Sequence, residues 1–450
     1  MQLLNAEVGF LGTQERFFKY TDEAIGVCLY LMIFSLPFSK ASLEIFTWLA
    51  LLLWIVRRFL GHRTVGTWGV LPLTPLNRML VIFLLANMIS TVLSFHGGLS
   101  LKALLGKQLK FLIIFFMVVE TINTDKRLKH CLMVLLGSVI LMGADAAVQY
   151  VRGVDFIRGF PFNRLSAAFT NPNGFAGWLI VLIFIVMGAS FTRDSRFLGW
   201  RMKSLFAGAL VVLLTCLLLT YSRGAWLGAV VGALSFGQYA FRKMSLKQKE
   251  VFIFISIVLL IGILMFSHRM IKLIDQSGNF QIKFGETLDQ RIKSIPDSNA
   301  TSTAIRITLW KEALHIWKDF PLTGSGLNTY ARISPQYKSC ADGGIYPHNS
   351  FLQMAAETGV LGLGAFLWIL FVFFKEGWRH IEQHKSFLVL GLLSGILAFL
   401  VHSFVDSNLY QLQLVVLLWF MMGLTVAIMK LEQDGSEYDR RKGAISCSQV

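Results

Sequence analysis

A histidine, His348, lies where the longest polar stretch of the chain meets a long apolar segment that begins at Phe351. Pro347 precedes it, so a helix should begin here, capped by His348 or by Asn349. The positive end of that helix disfavours imidazolium, which predicts a neutral, basic ring near pH 7. Such a ring can take the proton from an attacking hydroxyl. A capping or interfacial histidine is the commoner alternative.

Arg223 is the arginine whose position is hardest to explain by solubility alone. It lies in the turn Tyr221–Gly224, between two apolar segments and too short to need a charge. A planar guanidinium binds phosphate oxygens through two parallel hydrogen bonds, which favours a fixed cation for a phosphate. The alternative is an arginine that snorkels to lipid headgroups from a helix end.

The polar stretch before His348 contains a predicted amphipathic helix. Arg306 and Trp310 are four residues apart and share one face, which places a cation beside an aromatic ring of the kind that packs on sugars. The alternative is an ordinary interfacial helix with one exposed arginine. Apolar residues at helical spacing predict a face that lies on the bilayer: Ile305, Leu309, Ala313, Ile316 and Trp317.

Two further positions carry weaker signals. Arg164 precedes an Asn-Pro-Asn-Gly turn and has a possible anion-binding role, while Asn173 in that turn is the expected cap of the next helix. Glu357 lies two to three turns into the apolar segment after His348, where an ionisable group is costly and needs a partner. It either orients a neighbour or forms a buried salt bridge, and the pattern does not choose between them.

Apolar runs of bilayer length predict an all-α polytopic membrane protein of about twelve transmembrane helices, since hydrophobic residues make up 55% of the chain. A long, partly helical outer loop separates the ninth from the tenth. The predicted spans are Ala24–Phe38, Ala41–Val56, Met79–Phe95, Leu105–Ile122, Cys131–Tyr150, Gly174–Phe191, Ser204–Thr220, Ala225–Phe241, Val251–Phe266, Phe351–Phe374, Phe387–Phe404 and Leu409–Met429.

The basic residues orient this arrangement. Every second connection between the predicted spans is short and rich in Lys and Arg. By the positive-inside rule, these connections and both termini face the cytoplasm. The predicted regions are helices 1–9 in residues 1–267, the outer loop in 268–350, helices 10–12 in 351–429 and a cytoplasmic tail in 430–450.

Charge and cysteine content exclude several kinds of partner. The net charge of +16 is spread over short inter-span loops, which suits anionic membrane lipids and argues against nucleic acid. The five cysteines have no metal-ligand spacing, and no cluster of metal-binding residues or pair of glycosidase-like carboxylates stands out. We therefore expect neither a metal site nor another cofactor.

Four blocks give the chain a resemblance to the O-antigen ligase and polymerase superfamily of bacterial membrane glycosyltransferases, of the GT-C type. They are AFTNPNGFAGWL, TYSRGAWLG, RITLWKEALHIWKDFPLTGSGLNTY and YPHNSFLQMAAETGVLGL. Each block is loose alone, but their order and a long outer loop late in the chain match the superfamily over roughly 160–363. The first spans match only in hydropathy.

The resemblance is nearest to the O-antigen ligases and implies a function. Such enzymes move a polysaccharide from undecaprenyl diphosphate to lipid A–core on the periplasmic face of the inner membrane, without metal or nucleotide. Carried over, His348 would be the general base, with Arg223 and Arg306 as the diphosphate clamp. Arg164 would be a weaker phosphate contact, and Asn349, Trp310 and Glu357 would support the site.

Three alternatives stay open. An O-antigen polymerase and a protein O-oligosaccharyltransferase use the same lipid-linked donor, and the sequence hardly separates them from a ligase. A twelve-span transporter of lipid-linked glycans is the alternative from a different class. The scarcity of charges deep in the spans and the lack of visible repeats count against a transporter.

Overall fold

The computed structural model describes residues 2–65, 71–162, 164–192, 199–243, 305–337 and 346–447, and nearly all of them lie in helices joined by short connections. The helices are α1 (Gln2–Ser35), α2 (Lys40–Val65), α3 (Asn77–Val92), α4 (Gly97–Ala103), α5 (Leu109–Thr121), α6 (Asp125–Arg152), α7 (Pro172–Phe191), α8 (Trp200–Leu219), α9 (Arg223–Lys243), α10 (305–319), α11 (Tyr330–Ile333), α12 (Ser350–His384), α13 (Phe387–Ser403) and α14 (Leu412–Cys447). A π-helical turn, Leu104–Gln108, joins α4 to α5. Within the described ranges, extended backbone pairs only at a single bridge between Val154 and Pro161, so the predicted all-α class is confirmed.

Five described helices are long and apolar enough to cross a membrane: α6, α7, α8, α12 and the Leu412–Gly435 part of α14. The apolar helices α3 and α13 are shorter. Each predicted span other than Val251–Phe266 overlaps a described helix, and Val251–Phe266 lies outside the described residues. The total of about twelve spans therefore remains a prediction. The predicted outer loop, 268–350, is described only over 305–337 and 346–350.

Helix α7 begins at Pro172, two residues earlier than the sequence suggests. The side chain of Asn171 accepts a hydrogen bond from Gly174 N at 2.6 Å, and Pro172 occupies the first helical position. Proline presets the helical φ angle and lacks the N–H that would go unpaired there. The expectation that Asn173 caps this helix is therefore wrong.

Helix α13 packs between α7 and α9, and glycines allow the close approach. A Cβ on Gly188 of α7 would lie 2.5 Å from the carbonyl oxygen of Phe387. A Cβ on Gly228 of α9 would collide with the carbonyl oxygen of Ala398. Small residues at such crossings let helices pack backbone to backbone where no hydrophobic effect draws them together. The three helices thus form a rigid group whose ends hold loops at fixed positions.

Helix α12 is broken at Gly359, which has φ +61° and ψ −164°. A break frees main-chain groups that an apolar environment leaves without water. The freed N–H groups after the break donate to a loop that precedes α11: Val360 to the carbonyl oxygen of Pro321 at 2.9 Å, and Leu361 to that of Leu322 at 3.1 Å. The loop therefore takes the place of the missing helical turn.

The carbonyl groups before the break are satisfied by the same loop, residues 320–329, here called the inserted loop. Ser325 N donates to the carbonyl oxygen of Ala356, and Gly326 N donates to that of Glu357, both at 2.9 Å. All four bonds join main-chain atoms, so the pairing depends on backbone conformation more than on side chains. The loop and the break fix each other.

The amphipathic helix α10 packs on protein instead of lying on the bilayer. Its apolar residues Ala313 and Ile316 are buried in one cluster with Tyr330, Ile333 and Ala356. Because the inserted loop folds back onto α12, it brings the apolar face of α10 against that helix. The expectation of lipid contact is therefore wrong for Leu309, Ala313 and Ile316, which are buried in protein, while Ile305 is exposed.

The bundle has two functionally distinct ends. Helix α12 begins beside His348, and we call this the His348 end. The Cβ position of Gly174 at the start of α7 lies 2.7 Å from Gln411, just before α14, which places both helix starts at this end. The end of α12 near His384 marks the opposite end.

Substituting Gly359 with alanine should destabilise the protein strongly. An alanine there would hold a backbone conformation that is essentially reserved for glycine and costs other residues about 1–3 kcal/mol, and its Cβ would collide with the main chain of Leu322. We expect the melting temperature of the purified protein to fall well below that of the wild type. Gly364→Ala in the same helix is the control, because its Cβ would enter open space. Equal melting temperatures for the two variants would contradict the role given to the break.

Candidate functional site

His348 is held in an unusual backbone conformation at the start of α12. Its φ of +47° lies in the left-handed region, which costs a residue with a Cβ about 1–2 kcal/mol. Asn349 follows as the helix cap, and its side chain accepts hydrogen bonds from Phe351 N and Leu352 N, both at 3.0 Å. The cap is therefore Asn349 and not the histidine. The imidazole is left 43% exposed at the end of the bundle.

A buried aspartate lies behind the imidazole. Nδ1 of His348 is 3.6 Å from Oδ1 of Asp406, whose side chain is 6% exposed. Asp406 belongs to the turn after α13, and the Ser350 hydroxyl donates to its carbonyl oxygen at 2.9 Å. The same hydroxyl accepts from Leu409 N at 3.2 Å. These bonds fasten the turn to the start of α12 and so fix the His–Asp geometry.

The aspartate is suited to hold one form of the imidazole. Burial alone would raise the pKa of Asp406, but the neighbouring His348 and His402 rings and the N–H of Ser407 lower it below its usual value. An ionised carboxylate beside Nδ1 favours the tautomer with its proton on that nitrogen. Nε2 is then free to accept a proton on the exposed side of the ring.

Arg223 is the first residue of α9, beside the same turn. Tyr221 before it has φ +51°, which lets the chain reverse sharply after α8. A Cβ on Gly224 would collide with Val405 and would lie 3.1 Å from the ring of His402. Helix α9 therefore begins in contact with His402 at the end of α13 and with Val405, which are four residues and one residue before Asp406. Arg223 is exposed there.

Arg164 joins the loop before α7 to the turn that carries Arg223. Its Nε donates to the carbonyl oxygen of Thr220 at 2.8 Å, and its Nη2 donates to Oδ1 of Asn173 at 3.3 Å. Part of the Arg164 guanidinium is thus used to bond to the protein itself. One of its acceptors, Thr220, is three residues before Arg223 in the chain. This geometry indicates a positioning contribution beside any contact with an anion.

Polar side chains of α6, which the sequence did not single out, hold the loop that contains Arg164. Oε1 of Gln149 accepts from Ser166 N at 3.1 Å and from Ala167 N at 2.8 Å. Oδ1 of Asp145 accepts from Phe156 N at 2.9 Å. Both side chains are fully buried. A polar residue in the middle of an otherwise apolar span was the signal available for finding them.

Arg306 and Trp310 lie near the start of α10, ahead of the residues through which that helix packs on α11 and α12. Arg306 is close enough to His402 for its charge to act on that buried ring. Trp310 is partly buried, and its indole nitrogen is buried without a hydrogen-bond partner in the described part of the chain. His402 therefore has Arg306 near one side and the start of α9 on another.

Glu357 supports the inserted loop and does not form a salt bridge among the described residues. Its Oε2 accepts from Asn328 N at 2.9 Å, and its Oε1 accepts from Tyr330 N and from Nε2 of Gln353, each at 3.3 Å. Tyr410 lines the same cavity as Glu357. The buried carboxylate thus joins α12 to the inserted loop.

The structure brings the residues singled out in the sequence to one end of the bundle. His348 lies beside Asp406, for which the sequence gives no local signal. His402 lies between the starts of α7 and α9, with its Nδ1 3.6 Å from the Cβ position of Gly177. Three arginines belong to adjoining elements: Arg164, Arg223 and Arg306. Within the described ranges, no group of three or more His, Cys, Asp or Glu side chains is placed to hold a metal ion.

The comparison with protein families gives one match. Residues 208–367 match the family described as O-Antigen ligase, which confirms the resemblance to the O-antigen ligase/polymerase superfamily. The matched segment contains Arg223, Arg306 and His348, while Arg164 and Asp406 lie outside it. No curated protein matches the chain.

Replacing Glu357 with glutamine should loosen the inserted loop. The new NH₂ group would face either Asn328 N or Tyr330 N, and a buried donor without an acceptor costs about 1–3 kcal/mol. We expect faster amide hydrogen exchange at 328–330 and a lower melting temperature. The control is Glu382→Gln, at an exposed position of the same helix. Unchanged exchange at these amides in the Glu357 variant would contradict the assignment.

Proposed function

We propose, from the match of residues 208–367 to the O-antigen ligase family, that this protein transfers a lipid-linked polysaccharide to lipid A–core. The donor would be a polysaccharide on undecaprenyl diphosphate, and the reaction would occur on the periplasmic face of a bacterial inner membrane. The observation that carries the proposal is the pairing of a half-exposed His348 with a buried Asp406, in a turn that the start of α9, next to Arg223, also contacts.

The His–Asp pair supports a general-base role for His348. The acceptor hydroxyl would give its proton to Nε2 while its oxygen forms a bond to the anomeric carbon of the donor. The bond from that carbon to the diphosphate oxygen breaks, and the diphosphate leaves with the electron pair. Asp406 would hold the ring in the reactive tautomer and stabilise the imidazolium that forms. A single displacement of this kind inverts the anomeric centre.

The arginines support the departure of the diphosphate. Negative charge builds on the leaving group, and fixed cations placed before the reaction stabilise it without reorganising. Arg223 and Arg306 would supply these cations from the starts of two helices. Arg164 would act more weakly, because its Nε already donates to the carbonyl oxygen of Thr220 at 2.8 Å. The donor linkage is already activated, so the step needs neither nucleotide nor metal.

Supporting residues would set the approach of the sugars. Asn349 caps α12 and so fixes the backbone next to His348. Trp310 offers a partly buried aromatic face one turn from Arg306. Sugar rings pack on such faces through their apolar C–H groups, which would orient the glycan toward the base.

Replacing His348 with glutamine should lower transfer by about 10²–10⁴-fold, the usual contribution of a general base. The measurement is transfer of a lipid-linked glycan to purified lipid A–core by the purified protein. Asp406→Asn keeps the acceptor for Ser407 N, and we expect it to lower the turnover rate less than the His348 variant does. His315→Gln, an exposed histidine of α10, is the matched control. Wild-type turnover by the folded His348 variant would refute the general-base role.

The choice among the related transferases can be tested in cells. A strain lacking the gene, beside the same strain complemented with wild type, should show core without O-antigen on a lipopolysaccharide gel, with the glycan retained on its lipid carrier. Core bearing a single repeat unit would instead identify a polymerase. An unchanged ladder would exclude both and direct the search to glycoproteins, as for a protein O-oligosaccharyltransferase, and then to transport.

A further inference from the structure

Two adjoining grooves lie at the end of the bundle opposite His348, away from the proposed reaction. One, of about 490 Å³, lies between α3 and α12 and contains Arg78 and Lys375. The other, of about 370 Å³, lies between α12 and α14 and contains Arg379 and Lys430. They share a ridge formed by Thr74, Pro75 and Glu376. The pair of grooves therefore forms one continuous surface across three helices.

The grooves follow a single stripe of α12 that changes character along its length. Its first part is apolar and its second part is polar and basic. The stripe consists of Trp368, Phe371, Val372, Lys375, Glu376, Arg379, His380 and Gln383, at spacings of three and four residues. Trp368 is 48% exposed and Phe371 is 65% exposed, so the apolar part faces outward from the bundle.

The neighbouring helices change in the same way at the same level. On α3, apolar Met79 lies beside Arg78, and on α14, apolar Val426 and Met429 precede Lys430. Helices α12 and α3 therefore offer an apolar surface toward the middle of the bundle and a cation toward its end, while α14 adds Lys430 beside the buried Val426 and Met429. A phospholipid has this same division, with its acyl chains on one side and its phosphate on the other.

Hydrogen bonds within the protein hold the ridge between the grooves in place. The Asn77 side chain accepts from Thr74 N at 3.1 Å and donates to the carbonyl oxygen of Pro72 at 3.1 Å. The cations are therefore divided into two pairs by a rigid element. Lys375 and Arg379 are four residues apart, which separates the two pairs by about 6 Å along the axis of α12.

Charge selects the kind of lipid. Four cations line the grooves against one lining carboxylate, Glu376, which lies 3.8 Å from Arg379. A zwitterionic headgroup would bring its own cation into this excess of positive charge. A lipid with two phosphates joined by a short bridge would instead place one phosphate beside each pair of cations.

We propose that these grooves bind one molecule of a two-phosphate anionic phospholipid, of the diphosphatidylglycerol type. Its phosphates would lie beside the Arg78–Lys375 and Arg379–Lys430 pairs, and its acyl chains would run along the exposed aromatic part of α12. This site is separate from the proposed donor site at the His348 end. Its occupancy would tie the end of α12 to α3 and α14.

Native mass spectrometry of the full-length protein with added diphosphatidylglycerol tests the proposal. We expect one molecule to be retained, and Lys375→Gln combined with Arg379→Gln to weaken retention by about 25-fold, since each interfacial cation contributes about fivefold. The control is Lys126→Gln combined with Lys129→Gln, two exposed lysines at the start of α6. A lipid-free melting temperature equal to that of the wild type shows that the groove variant is folded.

Two comparisons decide the outcome. Loss of retention in the groove variant alone supports the site, whereas equal loss in both double variants means that net charge alone attracts the lipid and overturns it. Phosphatidylethanolamine retained as well as diphosphatidylglycerol would also overturn it. Phosphatidylglycerol retained with the same affinity would refute the two-phosphate assignment. None of these readouts depends on glycan transfer, so the proposal can fail while the transferase function stands.

Discussion

The break of α12 at Gly359 is the constraint on which the rest of the structure depends. It frees main-chain donors and acceptors within an apolar helix, and each unpaired group there would cost several kcal/mol. The inserted loop supplies the partners, with four main-chain bonds of 2.9–3.1 Å. Glu357, two residues before the break, then accepts the N–H of Asn328 and of Tyr330. The position of α10 follows, because its apolar face packs on Tyr330 and Ala356. A single glycine therefore determines where Arg306 enters the site.

The His348 end is assembled from strained turns held by buried polar groups. Four non-glycine residues in its loops adopt positive φ: Ala167, Tyr221, Asn328 and His348. Such conformations persist only where the surroundings over-determine them. The surroundings here are specific: Gln149 holds Ala167, Arg164 bonds to the carbonyl oxygen of Thr220 just before Tyr221, and Glu357 accepts from Asn328 N. Groups fixed in this way are already in place when charge develops, which is the property that electrostatic catalysis requires.

The sequence predicted the helical class and the positions of most helices, because a helix that spans a bilayer needs a long run of apolar residues and such runs are visible in the sequence. It also singled out His348, Arg223 and Arg306, since each is a charged or titratable residue in a place that solubility does not explain, and their roles stay predictions. It did not predict Asp406 as the partner of His348. The two residues are far apart in the sequence and meet only because the turn after α13 packs on the start of α12, and no local sequence pattern shows such a contact. The cap of α7 was misplaced for a local reason, since either asparagine beside Pro172 has a side chain capable of capping. The face of α10 was misassigned because helical spacing shows that a face is buried but not what covers it.

Helix α12 serves both ends of the bundle, and its break separates the two roles. The part before Gly359 carries Asn349, Ser350 and Glu357, which fix the histidine, the Asp406 turn and the inserted loop. The part after it carries the apolar and basic stripe at the opposite end. Continuous helical hydrogen bonds would couple these parts rigidly, but at the break the second part bonds to Pro321 and Leu322 instead. A displacement of the second part would therefore reach the inserted loop, and through it Arg306 on α10, before it reached His348. The inserted loop also bonds to Ala356 and Glu357 of the first part, so it is joined to both sides of the break, while the Asp406 turn is fastened further along the first part, at Ser350.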